Sequence, residues 1–213
     1  MLITDGSSEC GYNSRMPHIL EMPIQAARRS SYGEPNPDDS RPRFVGLAAK
    51  TIVVHSITYF IMGVLAAHFL NYAALLAAPG SGMRPMTSPW VMAGPLFQPI
   101  RGVIFASVFY MLRSYLFGTR YGWLRMSWIL IAIGILSTFG PASGSLEAMV
   151  YTPAPILSQM RGWLEVVPQA VLLSALLCYW VNHSEKKWLN WLLGAVFVLM
   201  MAMPVLGLTF KRV

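Results

Sequence analysis

"TIVVHSITYFIMGVLAAHFLNYAAL", residues 51–75, runs for 25 positions without a formal charge. A helix rises about 1.5 Å per residue, so roughly 20 predominantly apolar residues are needed to cross a hydrocarbon core about 30 Å thick. The stretch meets that requirement, and four later segments resemble it. Beyond a Pro/Gly loop, "APGSGMRPMTSPW" (78–90), a second segment covers about 96–117 and contains Arg101 and Arg113. A third, "WLRMSWILIAIGILSTF", covers about 123–139; a fourth covers about 158–182 and a fifth about 188–210. The pattern predicts an all-α, polytopic transmembrane bundle of about five helices, or four if the last segment does not cross completely.

Composition points the same way. The chain is 55% hydrophobic and only 12% charged, with a mean hydropathy of +0.50, whereas soluble domains carry roughly 25% charged residues. The net charge of +7 does not describe a nucleic-acid binder. Residues 1–50 hold six acidic and six basic side chains, so the whole excess arises from residues 51–213, where ten basic groups face three acidic ones. Those basic groups sit singly or in pairs at the ends of apolar runs, as topology determinants do, and form no stripe along which a phosphate backbone could lie.

Residues 1–45 are polar and rich in Pro, Ser and Gly, with "YGEPNPDDSRPR" as the clearest case. They are expected to form a disordered cytoplasmic leader ahead of a membrane domain over 46–213. Translation starting at Met16 or Met22 would shorten that leader. The N-terminus has no basic region followed by an apolar core, so a cleaved secretory signal is not expected. Cys10 and Cys178 fall in unlike surroundings and no CxxC pair occurs, which argues against a disulfide framework or a metal site.

The positive-inside rule sets the expected orientation. With the N-terminus cytoplasmic, Arg41, Arg43, Lys50, Arg113, Arg120, Arg125, Lys186 and Lys187 all fall on the cytoplasmic side. Lys211 and Arg212 then lie outside, the one exception. Arg113, Arg120 and Arg125 read as anchors at the cytoplasmic face, and Tyr121, Trp123, Trp163, Trp188 and Trp191 as an aromatic belt.

Polar residues inside the apolar segments supply the candidate site. In "SQMRGWLEVVPQ" (158–169), Ser158, Arg161, Glu165 and Gln169 are spaced by three, four and four, which makes one stripe on a helix. Gln98 and Arg101 are likewise spaced by three. An arginine at the centre of a bilayer costs about 2.5 kcal/mol or more, so it faces a partner or water. Arg101 is therefore expected to pair with Glu165 across two helices, with Arg161 reaching the surface. The long linker "GPASGSLEAMVYTPAPILSQ" (140–159) is expected to cap a small outward cavity and to bring Glu147 back toward the two arginines. The same ion pairs would serve equally to fix helix packing.

Other chemistries find less support. His55 and His183 could in principle ligate haem b between helices, but His68 is about 140° from His55 around the helix, so no two-haem helix forms, and no CxxCH occurs. No cofactor is expected. The methionines of "LMMAMP" (199–204) point in different directions and suit packing better than copper. No HExxH, GxSxG, Walker loop or dinucleotide fingerprint is present in context.

The stretch from the first to the fourth segment resembles a family of uncharacterised polytopic bacterial inner-membrane proteins. The matching pieces are "YFIMG" (59–63), "FQPIRG" (97–102), "GPASGSLEAMVYTPAP" (140–155) and "EVVPQ" (165–169). The resemblance implies a multi-pass bacterial inner-membrane protein whose recurring polar positions correspond to Arg101, Glu147, Glu165 and Gln169. One departure is Ala148, where the family pattern has a glycine, and the family brings no activity with it. The leading expectation is a non-enzymatic accessory subunit or a small binding or transport module. Its partners would be the lipid bilayer and other membrane subunits or further copies of itself. The alternative is a membrane enzyme or haem-binding electron-transfer subunit.

Overall fold

The computed structural model describes residues 42–77 and 83–210; the leader expected over 1–45 lies almost wholly outside them. Helix α1 (Phe44–Phe69) is the central element, 26 residues and about 39 Å long. It starts seven residues before the predicted segment and stops short of its predicted end. Asn71 adopts a positive φ of 49°, a backbone conformation that asparagine tolerates at helix ends, and a short helix α2 (Tyr72–Ala77) follows.

The second segment differs most from expectation. Helical structure begins at α3 (Pro89–Met92), passes through a 3-10 turn (Gly94–Phe97) into α4 (Gln98–Met111), and ends in α5 (Arg113–Leu116). Proline at the first helical position explains the early start, because its fixed φ suits the first turn and its missing N–H costs nothing there. The third segment is α6 (Gly122–Ile131), prolonged by a π-helical turn (Ala132–Leu136) in which the Ser137 N–H bonds to the Ala132 carbonyl at 2.9 Å. The predicted linker contains α7 (Leu146–Tyr151). The fourth segment divides into α8 (Ile156–Arg161) and α9 (Trp163–Asn182), and the fifth is α10 (Lys187–Phe210).

All regular structure among the described residues is helical. Three stretches, 44–69, 156–182 and 187–209, are long and apolar enough to cross a membrane, and Gly122–Leu136 is a shorter apolar helix. Among the described residues these are three helices able to cross and one shorter apolar helix, against an expected count of about five.

Helices α4, α9 and α10 pack on α1, and α6 packs on α9. Helices α4 and α1 approach closely at Gly102, where a Cβ would lie 2.7 Å from the Ile52 Cα. Small residues allow helices to approach this closely. One end of the bundle is solid: Leu47, Phe109, Leu116, Met126 and Leu177 are completely buried and touch in a single apolar cluster. The same end carries a basic and aromatic rim. Lys50 Nζ donates to the Trp180 carbonyl at 3.1 Å, Arg113 lies 4.3 Å over the Tyr110 ring, Arg125 lies 4.4 Å over Tyr115, and Lys186 donates to the Tyr179 hydroxyl. Apolar stems and aromatic faces hold these charges at the helix ends, as expected for interfacial anchors.

Candidate functional site

Above the apolar cluster the bundle opens. A cavity of about 410 Å3 lies among α1, α4, α9 and the π turn. Its polar lining is His55, Arg101 and Gln169; Phe105, Leu130 and Leu173 contribute to an otherwise apolar wall. Gly134, inside the π turn, also lines it, and a Cβ there would meet nothing within 4 Å. π turns recur at functional sites because the widened backbone re-aims its neighbours. Because α4 packs on α1 and α6 packs on α9, the cavity has a side between α4 and α6, where Ile104 is 59% exposed.

His55 is fixed by its neighbours. It is 1% exposed, meets the Phe105 ring edge-on at 4.9 Å, and its Nε2 lies 3.1 Å from Gln98 Oε1. Gln98 donates its amide nitrogen to the Gly94 carbonyl at 3.2 Å, which turns its oxygen toward the imidazole. A carbonyl oxygen cannot donate, so the proton sits on His55 Nε2 and Nδ1 carries a free lone pair. That Nδ1 is buried and has no hydrogen-bond partner.

Arg101 lies deep in the bundle. Its neighbour Gly102 touches Ile52, and Gln98 reaches His55, so this turn of α4 faces the ninth to twelfth residues of the 26-residue α1. Arg101 is exposed and stands 5.6 Å over the Phe105 ring, within electrostatic reach of His55.

Glu165 occupies another level. It accepts a hydrogen bond from the Tyr72 hydroxyl, beyond the far end of α1. The expected Arg101–Glu165 ion pair does not form. The reason is axial: Arg101 is level with Ile52 and His55 on α1, while Glu165 is held by Tyr72 beyond the end of α1. Tyr59, on α1 between the two levels, lies within electrostatic reach of both charges. Burial first, then the bond to Glu165, pushes the Tyr72 phenol well above its ordinary pKa.

The remaining predicted residues separate from the cavity. Glu147 is exposed in the first turn of α7, where a carboxylate suits the positive end of a helix, and it does not reach back to the arginines. Arg161 is exposed at the end of α8. His55 lies in the interior, whereas His183 is half-buried at the basic end, stacked on Tyr179 at 4.4 Å. The predicted stripe on the fourth segment is interrupted at Gly162, so only its lower member, Gln169, lines the cavity.

The linker is a built structure, held by Gln159, which the sequence did not single out, and by Trp163, which it read only as part of the aromatic belt. Buried Gln159 donates to the Ala154 carbonyl at 3.0 Å and to Thr152 Oγ1 at 3.2 Å, and the Trp163 indole donates to the Gly144 carbonyl at 2.9 Å. Gly144 has a φ of 89°, and a Cβ there would lie 2.9 Å from the Trp163 nitrogen. Tyr59 was within reach of sequence reasoning, being four residues after His55 on the same helix face. Tyr72 was not, because the break at Asn71 separates it from α1.

Compared with protein-family models, with curated proteins and with solved structures, the chain matches none.

Proposed function

We propose that this chain is an integral membrane protein that binds a small anionic amphiphile in the cavity around Arg101. One observation carries the reading: a guanidinium at mid-bundle depth lines a cavity and, among the described residues, meets no carboxylate. Holding a charge at that depth costs about 2.5 kcal/mol or more, and an anion brought by a ligand compensates it. The apolar walls suit a hydrocarbon body, and the volume falls within the range of small-molecule pockets, roughly 300–1,000 Å3.

The basic rim at one end supports an arrangement with that end and the N-terminus in the cytoplasm, five crossings, and a cavity near the middle of the membrane. Together with the resemblance described above, this favours a bacterial inner-membrane protein acting as a binding or transport module, alone or as an accessory subunit.

The test is binding of decyl sulfate, a permanent anion with an apolar tail, to the purified full-length protein in nanodiscs. Wild type should bind saturably. Gly134→Leu, which fills space where no atom stands within 4 Å, should keep its melting temperature and lose binding about tenfold or more. Equal binding by both proteins would refute the cavity as the site.

A further inference from the structure

The geometry points to a more specific ligand: a lipid phosphate monoester in its monoanionic form, with one P–O⁻ on Arg101 and its P–O–H donating to His55 Nδ1. This rests on the anion-binding reading above and adds a requirement to it. Arg101 supplies donors only. His55 supplies an acceptor only, because Gln98, held by the Gly94 carbonyl, fixes the imidazole proton on Nε2. His55 lines the cavity, is 1% exposed, and leaves Nδ1 without a partner in the protein. An unsatisfied buried acceptor is costly, so the matching ligand brings a donor as well as a negative charge.

Simple amphiphiles meet one requirement or the other. A fatty carboxylate or an alkyl sulfate satisfies Arg101 and brings no proton for Nδ1. A long-chain alcohol or a phenol brings the proton and no charge. A phosphate monoester has a second pKa near 6 and so presents both groups on one tetrahedral centre over the mildly acidic range. Gln169, with donor and acceptor on one amide, suits a third phosphate oxygen on the opposite wall. The side between α4 and α6, marked by exposed Ile104, gives the alkyl chain a way out to the bilayer.

The experiment compares decyl phosphate, decyl sulfate and inorganic phosphate on the wild-type full chain in nanodiscs at about pH 5.5, where the monoester is largely monoanionic. Decyl phosphate should bind about tenfold tighter than decyl sulfate, the equivalent of one well-made hydrogen bond. Inorganic phosphate at millimolar concentration should displace neither. His55→Leu should bring the ratio of decyl phosphate to decyl sulfate affinity to about one. If the variant does not fold, the wild-type ratio still decides. Equal binding of the two decyl anions overturns the phosphate assignment and leaves anion binding standing. Binding of neither overturns both. Displacement by inorganic phosphate overturns the lipid part of the assignment.

Discussion

The contact between Gly102 and Ile52 sets the register that puts Arg101 beside His55, and Gly102→Ala tests it. A Cβ at position 102 would stand 2.7 Å from the Ile52 Cα and 3.0 Å from its Cγ1. The first of these is backbone, so the helices themselves must separate. Overpacking of this kind typically costs about 1–3 kcal/mol. In a chain of this size each kcal/mol moves the melting midpoint by about 2–4 °C, which predicts a fall of roughly 2–12 °C. Alanine is intrinsically better than glycine in a helix by about 1 kcal/mol, so the comparison needs matched controls. Gly63→Ala and Gly194→Ala are suitable, because a Cβ at either meets nothing within 4 Å. Both should melt at or above the wild-type temperature. The assay is fluorescence-detected thermal unfolding of the four proteins in one mild detergent. If Gly102→Ala melts with or above its controls, α4 does not pack on α1 as described, and the placement of Arg101 falls with it.

Other outcomes follow from the same geometry. Gly144→Ala combines a backbone strain of about 1–2 kcal/mol with a clash against the Trp163 indole; it should speed proteinase K cleavage within residues 140–155, and Trp163→Phe, which loses only the bond to Gly144, should do so less. Unchanged cleavage in both would mean the linker is not held by this contact. Tyr72 titrates above its ordinary pKa of about 10, so the contribution of its phenol to stability is complete below that pH and is lost as pH rises toward the folded-state value. The ultraviolet difference titration between wild type and Tyr72→Phe should therefore show phenolate only well above pH 10, and Glu165→Gln should lower that midpoint. A midpoint at the free-tyrosine value would remove the Tyr72–Glu165 bond. Gln98→Leu deletes the group that fixes the His55 tautomer and should narrow the preference for decyl phosphate over decyl sulfate; an unchanged ratio would show that Nδ1 is not held as an acceptor.

Much of the fold was legible because apolar runs report helices directly. The fifth segment, predicted at 188–210, is helical over 187–210, and the fourth, at 158–182, over 156–182. The breaks inside segments were harder to read. Asn71 ends a helix inside an apolar run, and hydropathy does not register a change of backbone conformation. The candidate site was legible in part for a related reason. Gln98, Arg101 and Gln169 stood out as polar residues in apolar segments, and two of them line the cavity while the third fixes His55. The partnership assigned to Arg101 depended on its depth. Depth depends on how the helices pack, which sets Arg101 level with Ile52 and His55 while Glu165 is held by Tyr72 beyond the end of α1. Glu147 was drawn into the site by its charge and by the length of its linker, whereas its place in the first turn of α7 leaves it exposed.

The most direct test of the central claim is to purify wild type and Arg101→Gln from the native membrane in mild detergent and to identify by mass spectrometry what remains bound. An acidic amphiphile should accompany the wild type at about one per chain and be depleted about tenfold or more from Arg101→Gln, with both proteins melting alike. Equal retention of the same molecule by the two proteins would contradict the assignment of Arg101 as its anion-binding group.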